Sequence, residues 1–321
     1  MTPRSSRFSI RNHVQVRPAR RALRILGVTS LLAVLAVFAA PLVRADRTPL
    51  KPGVNMFSPQ QDIAIGQKEA ALAERQLPML DDARVDAYLN ALGEKLAGHA
   101  PGYPFPYQFR CVNDEAVNAF ALPGGFIYIY RGTIEDADSE AQLAGVMAHE
   151  IAHVALRHGT NRATKAHWGN LTLASAGGFL SGMGSALEEL GSHFALDSVL
   201  LKYTRAEESQ ADILGTQILY DSGYDSRALA QFFEKVQAES RKGRRIRFFS
   251  DHPSPAHRIE RVDKEVGKMG GPPKDYKSDS DDFLEVRRYL RAMPAPPPAQ
   301  EKKIKGVSNE ARLLLGRVSG D

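Results

Sequence analysis

Chemistry is most legible in this sequence at His149-Glu150-Ile151-Ala152-His153. Two histidines four residues apart on a helix lie about 40° apart around its axis and one turn along it. Both imidazoles then face one point, an arrangement that suits a single zinc ion. Glu150 lies one step further round, where its carboxylate can reach a water beside such an ion but is poorly placed to ligate with the histidines. The same five letters also arise by chance on solvated helix faces. Here the flanking sequence, GVMAHEIAHVAL, is apolar, so the helix reads as mostly buried. Burying two histidines and a glutamate without partners would cost several kcal/mol, and one metal ion satisfies all three.

A catalytic zinc takes three protein ligands and keeps one position open. The next histidine, His158, follows His153 by five residues with no glycine between them. If the helix continues, it turns His158 about 140° away. His158 therefore reads as a structural residue at the helix end, where the helix dipole favours a cation. The third ligand must come from elsewhere, and Glu207-Glu208-Ser209-Gln210-Ala211-Asp212 is the candidate, on a second helix. Glu208 and Asp212 share one face of it. Glu208 can complete a zinc site, and Asp212 can accept the remaining N–H of a ligand histidine and so fix its tautomer. Acidic pairs are also common on solvated faces, and Glu207 is read as such a residue.

HEIAHVALRHG, followed downstream by Glu208 and the Ala211-Asp212 pair, resembles the membrane-associated gluzincin peptidases. These include the prenyl-protein endopeptidases, the HtpX quality-control proteases, the periplasmic BepA-type proteases and the mitochondrial inner-membrane relatives. NAFALPGGFIYIYRG is similar to the family's strand before the active-site helix. DHPSPAHRIERV is similar to its HPxxxxRI segment through His252, Pro253, Arg258 and Ile259. The resemblance spans roughly residues 58–266 and is nearest to the short BepA-like members. It implies one zinc per chain on His149, His153 and Glu208, with Glu150 as general base on the zinc-bound water and Asp212 behind His149. It also implies that His252 approaches the metal, either capping it in a latent enzyme or stabilising the oxyanion. Arg258 would anchor this segment to carboxylates near the site. The reaction implied is peptide-bond hydrolysis with no covalent intermediate.

Phe126–Arg131 reads as an edge strand beside the cleft, to which an extended substrate can add through main-chain hydrogen bonds. Asn118, Phe126, Ile127, Tyr128 and Ile129 are the candidate substrate-binding residues, although some of the alternating side chains must be core. Such binding suits unfolded or misassembled proteins. Residues 171–201, rich in Gly, Ala, Ser and Leu, are expected to form broken apolar helices that serve as a lid or membrane-contacting loop.

Several elements must position these residues. Helices are expected from Ser58, over Asp81–Ala97, over Ser139–His158 with Gly159 as the stop, over Thr204–Tyr220, Ser226–Glu239 and Ser254–Val266, and near Phe283–Met293. Strands are expected at Tyr107–Asn113 and Phe126–Tyr130, with a turn at Pro123-Gly124-Gly125. The fold class is mainly α with a small β-sheet, α+β. Residues 58–270 form the expected peptidase domain, preceded by a linker at 46–57 and followed by a polar, Pro-rich tail at 271–321.

Charge bears on compartment. The chain has 321 residues and a formal net charge of +5, but residues 1–45 hold eight arginines and no acid, and without them the net charge is −3. That weakens any case for nucleic-acid binding. The uncharged run Ile25–Val43 and the ending Val43-Arg44-Ala45 match an export signal cleaved after Ala45. An uncleaved anchor, a weak twin-arginine signal at Arg20-Arg21 and a mitochondrial presequence are the alternatives. The single cysteine, Cys111, excludes an intrachain disulfide framework and a multi-cysteine zinc site. The leader is also the only strongly hydrophobic segment, so multi-span architectures are not expected.

The favoured reading is a periplasmic or extracytoplasmic zinc endopeptidase in envelope protein quality control, acting on protein and peptide substrates, with a membrane surface as a further partner. The alternatives are a latent zinc protein acting as a chaperone or assembly factor, and a mitochondrial processing peptidase. The oligomeric state is not legible.

Overall fold

Local capping chemistry starts most of the helices. Ser58 accepts from the Gln61 amide while the Gln61 side chain accepts from the Ser58 amide, and Pro59 fits the first turn of α1 (Pro59–Gln76). Asp82 caps α2 (Ala83–Ala97), whose Val85, Leu89, Leu92 and Leu96 recur at helical spacing and are buried. The computed structural model describes residues 46–165, 203–240, 246–248, 252 and 257–296. The expected leader, the 171–201 segment and the end of the tail lie outside the described residues.

Three strands follow: β1 (Gln108–Val112), β2 (Ala119–Leu122) and β3 (Phe126–Tyr130). They are ordered β1-β3-β2, with β1 parallel and β2 antiparallel to β3. Pro123–Gly125 makes the tight connection between β2 and β3. There Gly124 has φ 78°, and a Cβ on it would come within 2.5 Å of Ile63 Cα on α1, so only glycine fits. The topology corrects the expectation of an edge at Phe126–Tyr130, because β3 is the central strand and is paired on both sides. The run of strand-forming residues marked a strand but could not say where in the sheet it lay. The sheet buries both faces. Ala119, Ala121, Ile127 and Ile129 join the main core, and Phe120, Leu122, Phe126, Tyr128 and Tyr130 pack with Phe57, Ala70 and Ala73 on the other side.

After the short α3 (Arg131–Asp136), Ser139 caps α4 (Glu140–Ala155), in which all 16 residues are buried. A helix apolar all round belongs inside. It does not reach His158, and Gly159 does not stop it, both contrary to the sequence expectation. The chain turns at Leu156 and Arg157, and residues 158–165 begin a further helix that contains Gly159. Arg157 takes the left-handed conformation, φ 56°, and is tied there by its guanidinium, which donates to Asp62 and to the Phe57 carbonyl.

Thr204 and Glu207 form the capping box that opens α5 (Arg205–Asp221). α6 (Ala228–Ser240), α7 (Arg258–Lys268) and α8 (Asp281–Ala292) complete the order. α7 starts at Arg258 rather than Ser254, after His257 in the left-handed region, and residues 253–256 lie outside the described set. α8 buries Phe283, Val286 and Leu290 in the main core. Glu140, at the start of α4, accepts from Tyr224 (2.6 Å), Lys277 (2.7 Å) and Tyr88 (3.2 Å) and from the Ser280 hydroxyl, fastening the segment before α8 to the start of α4. At the other end of the described chain, Arg47 pairs with Asp221 and Thr48 with Glu265, so the strap of residues 46–57 is tied at its start to α5 and α7, and at its end, through Asn55 and Met56, to Thr160 and Thr164. Among the described residues, no helix is long and apolar enough to cross a membrane.

Candidate metal centre

α4 presents His149, Glu150 and His153, and α5 presents Glu208 and Asp212. The two helices approach closely because Gly215 lacks a side chain. A Cβ there would sit 3.1 Å from the His149 amide nitrogen. His149 Nε2 and His153 Nε2 are 3.0 Å apart, and each is 3.5 Å from an oxygen of Glu208. His252 enters from the loop before α7, with Nδ1 3.0 Å from Glu208 Oε1 and 3.4 Å from His149 Nε2. Its ring stacks on Phe248, with centroids 4.6 Å apart. One donor atom from each of His149, His153, Glu208 and His252 lies within 4.8 Å of the others, and all four residues are buried. Glu150 Oε1 is 3.4 Å from His252 Nε2.

The partners behind these groups fix where protons sit. Asp212 Oδ1 lies 3.2 Å from His149 Nδ1, so Nδ1 keeps its proton on that side and Nε2 is the atom that faces the centre. Burial alone would raise the Asp212 carboxyl, but Arg258 and His149 outweigh it and hold the group below the usual range. Arg258 bonds Asp212 at 2.5 and 2.9 Å and reaches Glu208 at 3.3 Å. Burial pushes the His149 imidazole down, yet hydrogen bonds to Asp212 and Glu208 lift it to about 9. His153 is pushed down by burial and by the charge of His149. Two imidazole nitrogens and a carboxylate oxygen thus converge on one buried point. Without a metal, a proton has to hold this set together. With one, every lone pair is used, and the nitrogen–nitrogen–oxygen donor set suits zinc.

His158 and Glu207 depart from their sequence readings. His158 does not cap a helix end as a cation. It is buried, with Nδ1 3.0 Å from His153 Nδ1 and Nε2 3.0 Å from Gln210 Oε1. Glu207 is not solvated. It is 4 % exposed, caps Thr204, and has Lys165 at 3.6 Å. Asn118 is also buried. Its carbonyl accepts from the Tyr130 amide and from the Thr133 hydroxyl.

Tyr203, which the sequence reading passed over, stacks on His153 with centroids 3.6 Å apart, and its hydroxyl lies 3.4 Å from the Ala121 carbonyl. Its one sequence signal is its place directly before the Thr204 cap. The Tyr130 amide bond to Asn118 sets the alternation of the antiparallel ladder, so Ala119 and Ala121 turn their main-chain groups outward from β3. Among the described residues β2 is therefore the edge strand beside α4, with its Ala119 amide donating to Asn118 Oδ1. Phe126, Ile127, Tyr128 and Ile129 are buried inside the sheet, with neighbours on both flanks.

Comparison with known proteins agrees with this geometry. The profile of Peptidase family M48 matches residues 83–266, more than half of the chain. The chain is similar to the "Beta-barrel assembly-enhancing protease" of Escherichia coli (strain K12), with 28% identity over 84% of this chain and 58% of the relative. It is similar to "Metalloprotease LoiP" of the same organism, with 31% identity over 56% of this chain and 68% of the relative. It is also similar to "Mitochondrial metalloendopeptidase OMA1" of Schizosaccharomyces pombe, with 32% identity over 49% of this chain and 46% of the relative. The match thus spans under two thirds of the length of the first of these. With the profile laid over the helices that carry the buried donor set, the chain belongs to peptidase family M48.

Proposed function

We propose that this protein is a zinc-dependent endopeptidase that cleaves unfolded or misassembled proteins of the cell envelope. The observation that carries the reading is the convergence of His149, His153 and Glu208 on one buried point, with Glu150 on the same helix. These three residues would hold the zinc. Zinc, when bound, acidifies a water to a pKa of about 7 and polarises the scissile carbonyl. Glu150 takes a proton from the attacking water and returns it to the leaving amine. Asp212, kept ionised by Arg258, holds the Nδ1 proton on His149 and so keeps its Nε2 available. The apolar walls of α4 and α5 exclude bulk water from the proton transfer.

An extended substrate adds to the outward edge of β2 through the main-chain groups of Ala119 and Ala121. The Tyr203 hydroxyl gives up the Ala121 carbonyl, and Asn118 Oδ1 gives up the Ala119 amide, when it does. Main-chain recognition of this kind reads conformation rather than side chains, which supports unfolded chains as substrates. The arginine-rich start followed by an apolar run supports an extracytoplasmic location, with residues 1–45 as signal or anchor. The name of the "Beta-barrel assembly-enhancing protease" supports an envelope role.

A second reading is favoured by His252, whose Nδ1 lies within the donor cluster. In that position it fills the place a catalytic site keeps open, and the enzyme is latent until the loop withdraws. A casein cleavage assay on wild type, Glu150→Gln and His252→Ala, with zinc quantified in each, tests both. The endopeptidase reading expects Glu150→Gln to retain zinc and lose at least about 100-fold in kcat. Full activity in Glu150→Gln would refute it. The latent reading expects His252→Ala to gain activity.

A further inference from the structure

His158 has no role in the reaction as derived so far, yet it is buried against a donor of the metal centre. We propose that His158 is the positioning residue for His153. It accepts the Nδ1 proton of His153, is itself held in one tautomer by Gln210, and so aims the His153 Nε2 lone pair at the metal. The inference rests on the zinc reading above.

Proton accounting carries it. His153 Nδ1 and His158 Nδ1 face each other at 3.0 Å, so one of them donates. His158 Nε2 faces the Gln210 side-chain oxygen at 3.0 Å, and an oxygen only accepts. His158 therefore carries its proton on Nε2 and has a bare Nδ1. His153 must then carry its proton on Nδ1, which leaves Nε2 bare toward His149 and Glu208. The opposite tautomer of His158 would reverse the whole chain and point an Nε2 proton into the donor set. Gln210 thus selects, two bonds away, whether His153 can take a metal.

The backbone is built for this contact. A continuing helix would carry His158 away from His153. The turn at Arg157, φ 56°, instead brings its ring to 5.0 Å from the His153 ring, nearly edge-on at 74°. The two histidine donors are therefore oriented differently. His149 leans on an ionised carboxylate, and His153 on a neutral imidazole backed by an amide.

The test uses the full chain and zinc alone. Affinity is measured by chelator competition for wild type, His158→Leu and His158→Gln, and nitrogen-detected NMR reads the histidine tautomers of the zinc-loaded wild type. His158→Leu, which cannot accept a proton, is expected to lose about 10–100-fold in zinc affinity. His158→Gln offers a carbonyl and is expected to stay within about threefold of wild type. A packing role alone would not distinguish the two variants in this way. The spectrum is expected to show His158 protonated on Nε2 and bare on Nδ1, a result that holds even where a variant fails to fold. A His158 protonated on Nδ1, or a folded His158→Leu that binds zinc as tightly as wild type, overturns the proposal while leaving the zinc reading intact. Failure of the wild type itself to bind zinc overturns both.

Discussion

Gly215 sets the distance between the two helices that carry the proposed metal donors, and substituting it separates that role from ordinary packing. A methyl group at this position would lie 3.1 Å from His149 N, 3.2 Å from His149 Cα and 3.3 Å from Ala148 C. Comfortable carbon contacts begin near 3.5 Å, so α4 and α5 must part by about 0.4 Å in Gly215→Ala. Overpacking of this kind costs about 1–3 kcal/mol, and the better helix propensity of alanine returns at most about 1 kcal/mol. Gly267→Ala on α7 is the matched control, because nothing lies within 4 Å of its Cβ. It should be stabilised by about 0.4–1 kcal/mol, placing the two variants about 1–3 kcal/mol apart. At roughly 2–4 °C per kcal/mol for a domain of this size, calorimetry resolves the gap.

The metal readout is sharper. Metal–ligand distances tolerate about 0.2 Å, so parting the helices should weaken zinc binding by about tenfold or more. Gly145→Ala crowds Leu229 on α6 at 3.0 Å, where no donor sits, and should cost stability with little effect on zinc. If Gly215→Ala binds zinc as tightly as wild type, the close approach of α4 and α5 is not what spaces the donors.

Other predictions follow from the same geometry. Ala121→Pro deletes an outward amide of β2 without removing a bond to β3, and should raise KM for an unfolded substrate about tenfold, the loss of one hydrogen bond. An unchanged KM would exclude pairing at that edge. Phe283→Ala on α8 should cost about 3–5 kcal/mol in denaturant unfolding, since the side chain is wholly buried in the main core. Zinc affinity should fall as pH drops. His149 in the metal-free protein is protonated below about 9, and a proton competes with the metal for its Nε2. The expected slope approaches tenfold per pH unit between about pH 7 and 9, read by competition against a chelator of known pH dependence. A flat profile would place the proton elsewhere.

The helices were legible in the sequence because their caps and apolar spacing act locally. Ser58, Asp82, Ser139 and Thr204 each stand where a helix begins. The juxtaposition of Glu208 with His149 and His153 could be argued from residue chemistry and family resemblance before any coordinates. Strand order could not. The pattern of Phe126–Tyr130 records burial on both faces, and nothing in it says that β1 and β2 lie on either side. The His158 contact was hidden for a different reason. A helix continued past Ala155 at a hundred degrees per residue points His158 away, and only a left-handed residue at Arg157, a conformation unfavourable for arginine, returns it. Glu207 misled because an acidic residue in a first helical turn is usually wet, whereas this one closes a capping box under Lys165 and Arg162.

Because every residue of α4 is buried, this helix has no solvent-facing side along which it could fray open. Its amides should exchange with deuterium only when the whole domain unfolds, so their protection reports global stability. The strap at 46–57, which makes no regular structure, should exchange far earlier. The two histidines proposed to hold zinc thus lie on the most slowly exchanging element. Loss of zinc would then leave the donor histidines in place, and the empty site would refill without refolding.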